Sequence, residues 1–471
     1  MALIWSLMDR LAGRWGLLTR LAGQLLAREL RNPKGKPVER QLLVYDLPAT
    51  QLALVNDLRL VDTILTDRNG GFPKAAVLER LLRPLIGGGV FGQPGGDRVK
   101  QARRVFMRVL ASIPEQRVTE VASRLTRAYL ADWQRSGRPV PIPGELSRLT
   151  IDIVSEASLG TRFTVEEGRR FVELFFEYHR RADPALLLLA DQAPAVQQAL
   201  VERMGLAAIG AEIRRLVHRR FLAPLLAEPG RAAGAPFAAT LLEAATADAG
   251  QDTSAAQEEV RQMAILDEIA VMLLAGHETT ASVLSWLLWE LAAVPQEQEN
   301  AARLIAAANA GEPQQDNNLA AGAAARQLSA FTQEALRLYP PIAFLLRETT
   351  EAVSFRERPV CAGGFVVVSP WTIQRHRKLW PDPDHFDPGR WLAAEPPAAM
   401  AERLAHIPFG YGPRVCPGKR FAEIEMQAIL SELLAGCRIT RSRGRVPEPL
   451  GKLTSRPDYD FLLDITPRGD S

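Results

Sequence analysis

Ten consecutive residues, Phe409-Gly410-Tyr411-Gly412-Pro413-Arg414-Val415-Cys416-Pro417-Gly418, constrain this chain more than any other feature in it. Glycines and prolines at this density force a tight, irregular turn. Behind it Phe421, Ile424, Met426, Ile429 and Leu433 recur at helical spacing. A helix is therefore expected to begin at Pro417, since a first helical position has no use for the N–H that proline lacks. Cys416 then takes the N-cap position. The unpaired N–H groups and positive dipole end of a helix start favour an anion, so a thiolate is expected at Cys416, with Gly418 and Lys419 as backbone donors.

The other cysteines, Cys361 and Cys437, have no such surroundings and are expected to be packing residues. Three scattered cysteines do not make a disulfide framework, which fits a reducing compartment. With 57 Lys+Arg against 54 Asp+Glu, the net charge of +3 is too balanced for a protein that lives on phosphate contacts, which excludes nucleic acid as the main partner. The apolar share of 47% is enough for a sizeable core. No stretch offers about 18 uninterrupted apolar residues, and Met1 to Arg14 lacks the pattern of a secretory signal, so a cytoplasmic protein is expected.

Leu3, Leu7, Leu11, Trp15, Leu18, Leu21 and Leu25, with Arg10, Arg14, Arg20 and Arg28 among them, predict a basic amphipathic helix over residues 1–31. Such a helix either docks on its own domain or rests peripherally on a membrane interface. Further helices are expected over 97–135, 144–160, 165–182, 196–228 and 259–294, and strands over 41–45, 52–55, 352–355, 365–369 and 461–465. The runs 314–318 and 321–325 read as a solvated connection between helices.

Two more constellations stand out. Ala275-Gly276-His277-Glu278-Thr279-Thr280 puts an acid and a hydroxyl in the middle of the long apolar helix. A carboxylate buried there needs a partner, and Thr279 can bond back to the preceding turn. His277-Glu278 also opens a zinc-protease motif, but position 281 is Ala and the second imidazole is missing. Residues 87–92 formally satisfy a dinucleotide glycine pattern without its strand–turn–helix context. Glu334 and Arg337 stand three apart on one helix face, and Arg390 follows downstream in Phe386-Asp387-Pro388-Gly389-Arg390-Trp391.

Every specified position of the Phe409–Gly418 block matches the haem-binding loop of cytochromes P450. The order of helix motif, Glu-x-x-Arg pair, arginine segment and cysteine loop also resembles that superfamily, over roughly Pro48 to Arg468. The resemblance implies a mainly α fold, a helical triangular prism with a small β-rich lobe, as one haem domain over 32–471. It implies haem b, with Cys416 as the metal ligand and Phe409, Gly412, Arg414 and Gly418 in the cofactor loop. Gly276 would leave room where haem and oxygen approach, and Glu278 and Thr279 would relay protons. Arg103, Arg347 and Arg414 would pair with the propionates, although relatives often carry Trp or His where Val99 stands, four residues before Arg103. Glu334, Arg337 and Arg390 would form a buried charge cluster.

The implied activity is insertion of one atom of O2 into an apolar molecule such as a fatty acid, terpenoid or steroid. NAD(P)H-derived electrons would come from a separate ferredoxin or flavodoxin-type donor, docking on a basic face made by Arg98, Lys100, Arg104, Arg108, Lys419 and Arg420. The substrate pocket would draw on residues 72–96, 171–206, 270–275, 342–346 and 454–458. A peroxygenase or rearranging enzyme, or a haem sensor without turnover, are the alternatives. An intact Glu278-Thr279 pair favours oxygen activation, and substrate-dependent NADPH consumption would exclude the sensor.

Overall fold

The computed structural model describes residues 39–469 apart from 47–49, 92–95, 190–192, 229, 231–233, 248–253, 311–314 and 394–402. The expected amphipathic helix over 1–31 lies outside them. Strands β1 (Leu42–Asp46) and β2 (Gln51–Val55) form a hairpin, and β2 alternates little because its inner residues are buried on both faces. Two strands from far along the chain, β3 (Leu345–Glu348) and β4 (Phe365–Val368), complete a four-stranded sheet in the order β1-β2-β4-β3. The β2–β4 pairing is parallel, Leu52 opposite Phe365, and the other two are antiparallel.

Helices make up most of the rest. Those used below are α1 (Leu58–Thr66), α2 (Asp97–Ala111), α3 (Ile142–Leu159), α4 (Val165–Arg181), α5 (Ala255–Leu291), α6 (Gln315–Leu338) and α7 (Lys419–Gly436). The helix expected over 97–135 is two helices, broken at Ser112–Pro114 because Pro114 can only cap the second, Glu115–Ser136. The stretch 196–228 is likewise interrupted, by Gly205 at φ +67°, and continues past Val217 through a π-helical turn. The alanine run 321–325 is no connection: it lies inside α6 with Ala324 buried, as small side chains let neighbouring helices approach.

At the centre runs α5, 37 residues long and capped by Ser254, whose hydroxyl accepts from Gln257 N–H. It packs on α3, α6 and α7. By length and composition α5 is the one described helix that could cross a bilayer, but 83% of its apolar window is buried inside the protein, so the helix is a core element. Beyond α7 lie β5 (Cys437–Arg441), the hairpin β6 (Pro449–Gly451) and β7 (Ser455–Pro457), and β8 (Leu462–Pro467), which pairs with β5 and with Val140–Pro141.

The largest apolar cluster joins Val90, Phe91 and Phe106 to Phe171 and Phe175 of α4, Leu266 and Ile269 to Leu274 of α5, Phe344, Leu346 and Leu453. Four of the five segments expected to line a substrate pocket, all but 454–458, therefore contribute to one greasy region beside α5.

Candidate active site

The cysteine loop folds as a turn stapled to itself. Cys416 N–H donates to the Phe409 carbonyl at 2.8 Å, and Gly410 N–H to that of Ile407 at 2.9 Å. Gly412 has φ +73°, and a Cβ there would sit 2.5 Å from the carbonyl oxygen of Leu65, so only glycine lets the loop lie against α1. A Cβ on Gly418 would meet Cys416 Sγ at 3.9 Å. The helix starts two residues later than expected: Gly418 is the N-cap of α7, and Cys416 and Pro417 precede it. The two expected donors are nevertheless in place, because the N–H groups of Gly418 and Lys419 bond the thiol.

Burial pushes the Cys416 thiol above its ordinary pKa, outweighing those N–H groups and the Arg103 charge. The helix-end donors by themselves therefore do not hold Cys416 as a thiolate. A thiol placed in this way gives up its proton when a metal supplies the missing positive charge. Of the other cysteines, Cys437 is buried and Cys361 is exposed, against the expectation that both pack.

A set of cations stands beside this loop. Arg103 of α2 donates to the Val415 carbonyl. Arg347 is buried on β3, bridged in strand fashion to Lys74, a residue the sequence reading overlooked. Burial, then repulsion from Arg414, Arg347 and Arg103, pushes Lys74 down to about 7. Burial and Arg414 likewise push Arg347 down to about 10, against the pull of Asp67. Nη1 of Arg414 is buried without a hydrogen-bond partner. Four cations repelling one another, one with an orphaned donor, is a costly arrangement unless an anion joins them. A group carrying two carboxylates next to a metal, as haem does, fits this cradle and the Cys416 sulfur together.

On α5, Ala275 is exposed and Thr279 half-buried, one turn apart on the same face. Thr279 Oγ1 donates to the Ala275 carbonyl at 2.7 Å. Gly276 also lies where α5 packs on α3: a Cβ there would come 3.0 Å from Val154 Cγ2, so its missing side chain permits that close approach. His277, buried, bonds Leu273 O through Nδ1 at 2.8 Å and meets the rings of Phe171 and Phe175, while burial pushes it down to about 4. Glu278 is buried too, with burial raising its pKa against Arg456 and the Thr454 hydroxyl. The glycines at 87–89 have no nucleotide role here. Gly88 N–H donates to Asp267, and a Cβ on Gly89 would sit 2.6 Å from Val271, so they let the loop pass tightly over α5; Gly92 lies outside the described residues.

The Glu334 cluster is present as expected. Both Glu334 oxygens receive Arg337 at 2.8 Å, and Arg390 Nε, Asp387 N–H and Trp391 Nε1–H add bonds of 3.1, 2.9 and 2.9 Å. The expected basic face is only partly free. Arg420 is held bidentately by Glu115, and Lys100 pairs with Asp97, while the side chain of Arg98 lies outside the described residues.

The cytochrome P450 family model matches residues 40–463. This chain is a cytochrome P450. Two curated P450 relatives come from Streptomyces melanosporofaciens: cyclooctatin synthase, 27% identical over 80% of this chain and 78% of its own, and cyclooctat-9-en-7-ol 5-monooxygenase, 26% identical over 81% and 77%. The haem domain of cytochrome P450DA superposes with a TM-score of 0.71 at 21% identity, covering 91% of this chain and 90% of the other, which establishes the P450 fold. As a P450 the protein is a monooxygenase that carries haem b and draws its electrons from outside.

Proposed function

We propose that this P450 hydroxylates an apolar, carbocyclic or long-chain substrate, with Cys416 ligating the haem iron and Glu278 and Thr279 relaying protons. The cation cradle beside the cysteine loop carries the reading: Lys74, Arg103, Arg347 and Arg414 would hold the propionates, with guanidinium geometry matched to carboxylate. When bound, the haem supplies oxygen binding and activation at an iron whose thiolate ligand favours O–O cleavage. The chain's own part is orientation, proton supply and exclusion of water. Thr279 Oγ can receive a proton on one side while donating on the other, which suits it to hand on a proton that Glu278 provides.

Supporting an apolar substrate, four of the five segments expected to surround it contribute to one cluster of aromatic and branched side chains. The names of the two Streptomyces relatives point to carbocyclic substrates and are consistent with this. Screening terpenoids, steroids and fatty acids against the ferric protein for changes in the haem Soret band tests the reading. Failure of every apolar class while polar compounds shift the band would overturn it. Thr279→Ala is expected to keep such a shift within about two-fold in affinity while diverting most electrons to peroxide or water. Stoichiometry of NAD(P)H against product measures the diversion, and full coupling would remove Thr279 from the relay.

Electrons are proposed to arrive from a separate acidic ferredoxin or flavodoxin. Met107 and Val415 are exposed, as are Arg104, Arg108 and Lys419, on α2, the cysteine loop and the start of α7, and Arg103 ties α2 to the loop. Rim charges set encounter rates and are screened beyond about 8–10 Å at physiological salt. Donor-dependent reduction should slow as ionic strength rises, and slow further in Arg104→Glu at unchanged substrate affinity. Arg104 is the cleaner probe, because reversing Arg420 would also break its pair with Glu115. Stopped-flow rates indifferent to salt and to that reversal would exclude this face.

A further inference from the structure

Glu278 does not face Thr279 in this structure. Its Oε1 accepts the Thr454 hydroxyl at 3.2 Å and lies 3.7 Å from Nη1 of Arg456, both on the β6–β7 hairpin. Thr454 ends the turn just before β7 and Arg456 lies within the strand, and both reach the acid while Ser455 between them bonds elsewhere. Ser455 N–H donates to Pro341 O at 2.7 Å, and its carbonyl accepts the Ser282 hydroxyl of α5. The guanidinium of Arg456 is 12% exposed and stacks 3.6 Å from the Phe176 ring centroid of α4, which fixes its plane. His179, one turn further along α4, takes Nε2 contacts of 3.1 and 3.3 Å with the Thr454 carbonyl and N–H. The hairpin is thereby fastened to α4 and α5 at once, and its cation is aimed at the acid.

We propose that Arg456 is the counter-ion and positioning residue of Glu278, and that through it the β6–β7 hairpin controls when the acid can turn toward Thr279. The proposal rests on the reading of Glu278 as proton relay. A carboxylate in an apolar helix is expelled from its charged form unless a cation faces it. Arg456 provides that cation and, by the same attraction, holds the carboxylate on the hairpin side. The proton transferred toward Thr279 leaves Glu278 ionised, and the ion is recaptured by Arg456 until solvent reprotonates it.

The remaining groups around this pair leave the assignment to Arg456. Burial, then Arg456, pushes His179 down to about 3, and His277 on α5 is also neutral. Asp460 lies within reach of the Arg456 charge but takes Gly144 N–H at 2.7 Å. The hairpin also lies in the apolar cluster through Leu453, beside Phe344, so a substrate seated there touches the segment that holds the acid.

The test is an infrared titration of the haem-loaded ferric protein, following the protonated carboxyl band that Glu278→Gln removes. Arg456→Met should raise its midpoint by about 1–3 pH units, Arg456→Lys should restore it, and Thr454→Val should give a smaller rise. An unmoved midpoint in Arg456→Met overturns the proposal. Where Arg456→Met fails to hold haem, Arg456→Gln decides by the same criterion.

A second measurement separates the proposal from the reading beneath it. With ferredoxin, its reductase and dodecanoic acid as probe, the peroxide fraction of NADPH oxidation is compared in Arg456→Met, Glu278→Gln and the double variant. Equal peroxide in Glu278→Gln and the double variant supports action through the acid. Additive losses overturn that role for Arg456 alone. Unchanged peroxide in Glu278→Gln overturns the relay itself, whatever the titration shows.

Discussion

Cys416→His is expected to abolish the red-shifted absorption of the reduced, carbon-monoxide-bound protein and, with it, essentially all oxygen insertion. A thiolate carries a full negative charge, for which the Gly418 and Lys419 N–H groups and the neighbouring Arg103 are arranged. A neutral imidazole leaves those donors and that guanidinium without their anion, and it pushes less electron density onto a metal than sulfur does. Haem can still bind through the cation cradle, so the expected phenotype is a loaded, spectrally altered and inactive protein. A variant that keeps the shifted band would remove Cys416 from the metal.

The second large effect falls on stability. Glu334→Ala is expected to destabilise the fold by about 3–5 kcal/mol, because it strands the Arg337 guanidinium, 0% exposed, and frees Arg390 and Trp391 of their acceptor. Low haem incorporation and a lowered thermal midpoint are the readouts. A fully loaded variant of unchanged midpoint that is merely slow would contradict the structural role. Burial opposes ionisation of Glu334, but the bonds and charge of Arg337, the Asp387 N–H and Arg390 outweigh it and hold the carboxyl below the ordinary value. A depressed folded pKa stabilises fully above the ordinary carboxylate pKa. That contribution is lost as pH falls through the folded value, so acid should release haem from wild type as Glu334→Ala does at neutral pH.

Much of the fold could be read from spacing alone. The helices α2 to α5 announced themselves by apolar recurrence, and the cysteine loop announced the chemistry. What escaped shares one cause, that long-range partners leave no local pattern. Lys74 follows a proline in an irregular stretch, and nothing in its neighbours foretells a bridge to Arg347. Arg456 and Thr454 are ordinary residues of a short hairpin until α5 brings Glu278 to them. Arg420 looked free because its partner, Glu115, is 305 residues away. One misreading is local: the alanine run at 321–325 looks solvated, although alanine is the best helix former and the run lies inside α6.

The parallel pairing of β2 with β4 bears on how the protein is born. Thr50 bonds Gly363 across 313 residues, and Arg103 reaches Val415 across 312. At about 5–20 residues per second a ribosome needs roughly 15–60 s between making one partner and making the other. Throughout that interval α5 emerges with its apolar faces uncovered by α7, and neither the four-stranded sheet nor the cation cradle can close. Haem capture is therefore expected to be a late event of synthesis, possible only after β4 and the cysteine loop have emerged.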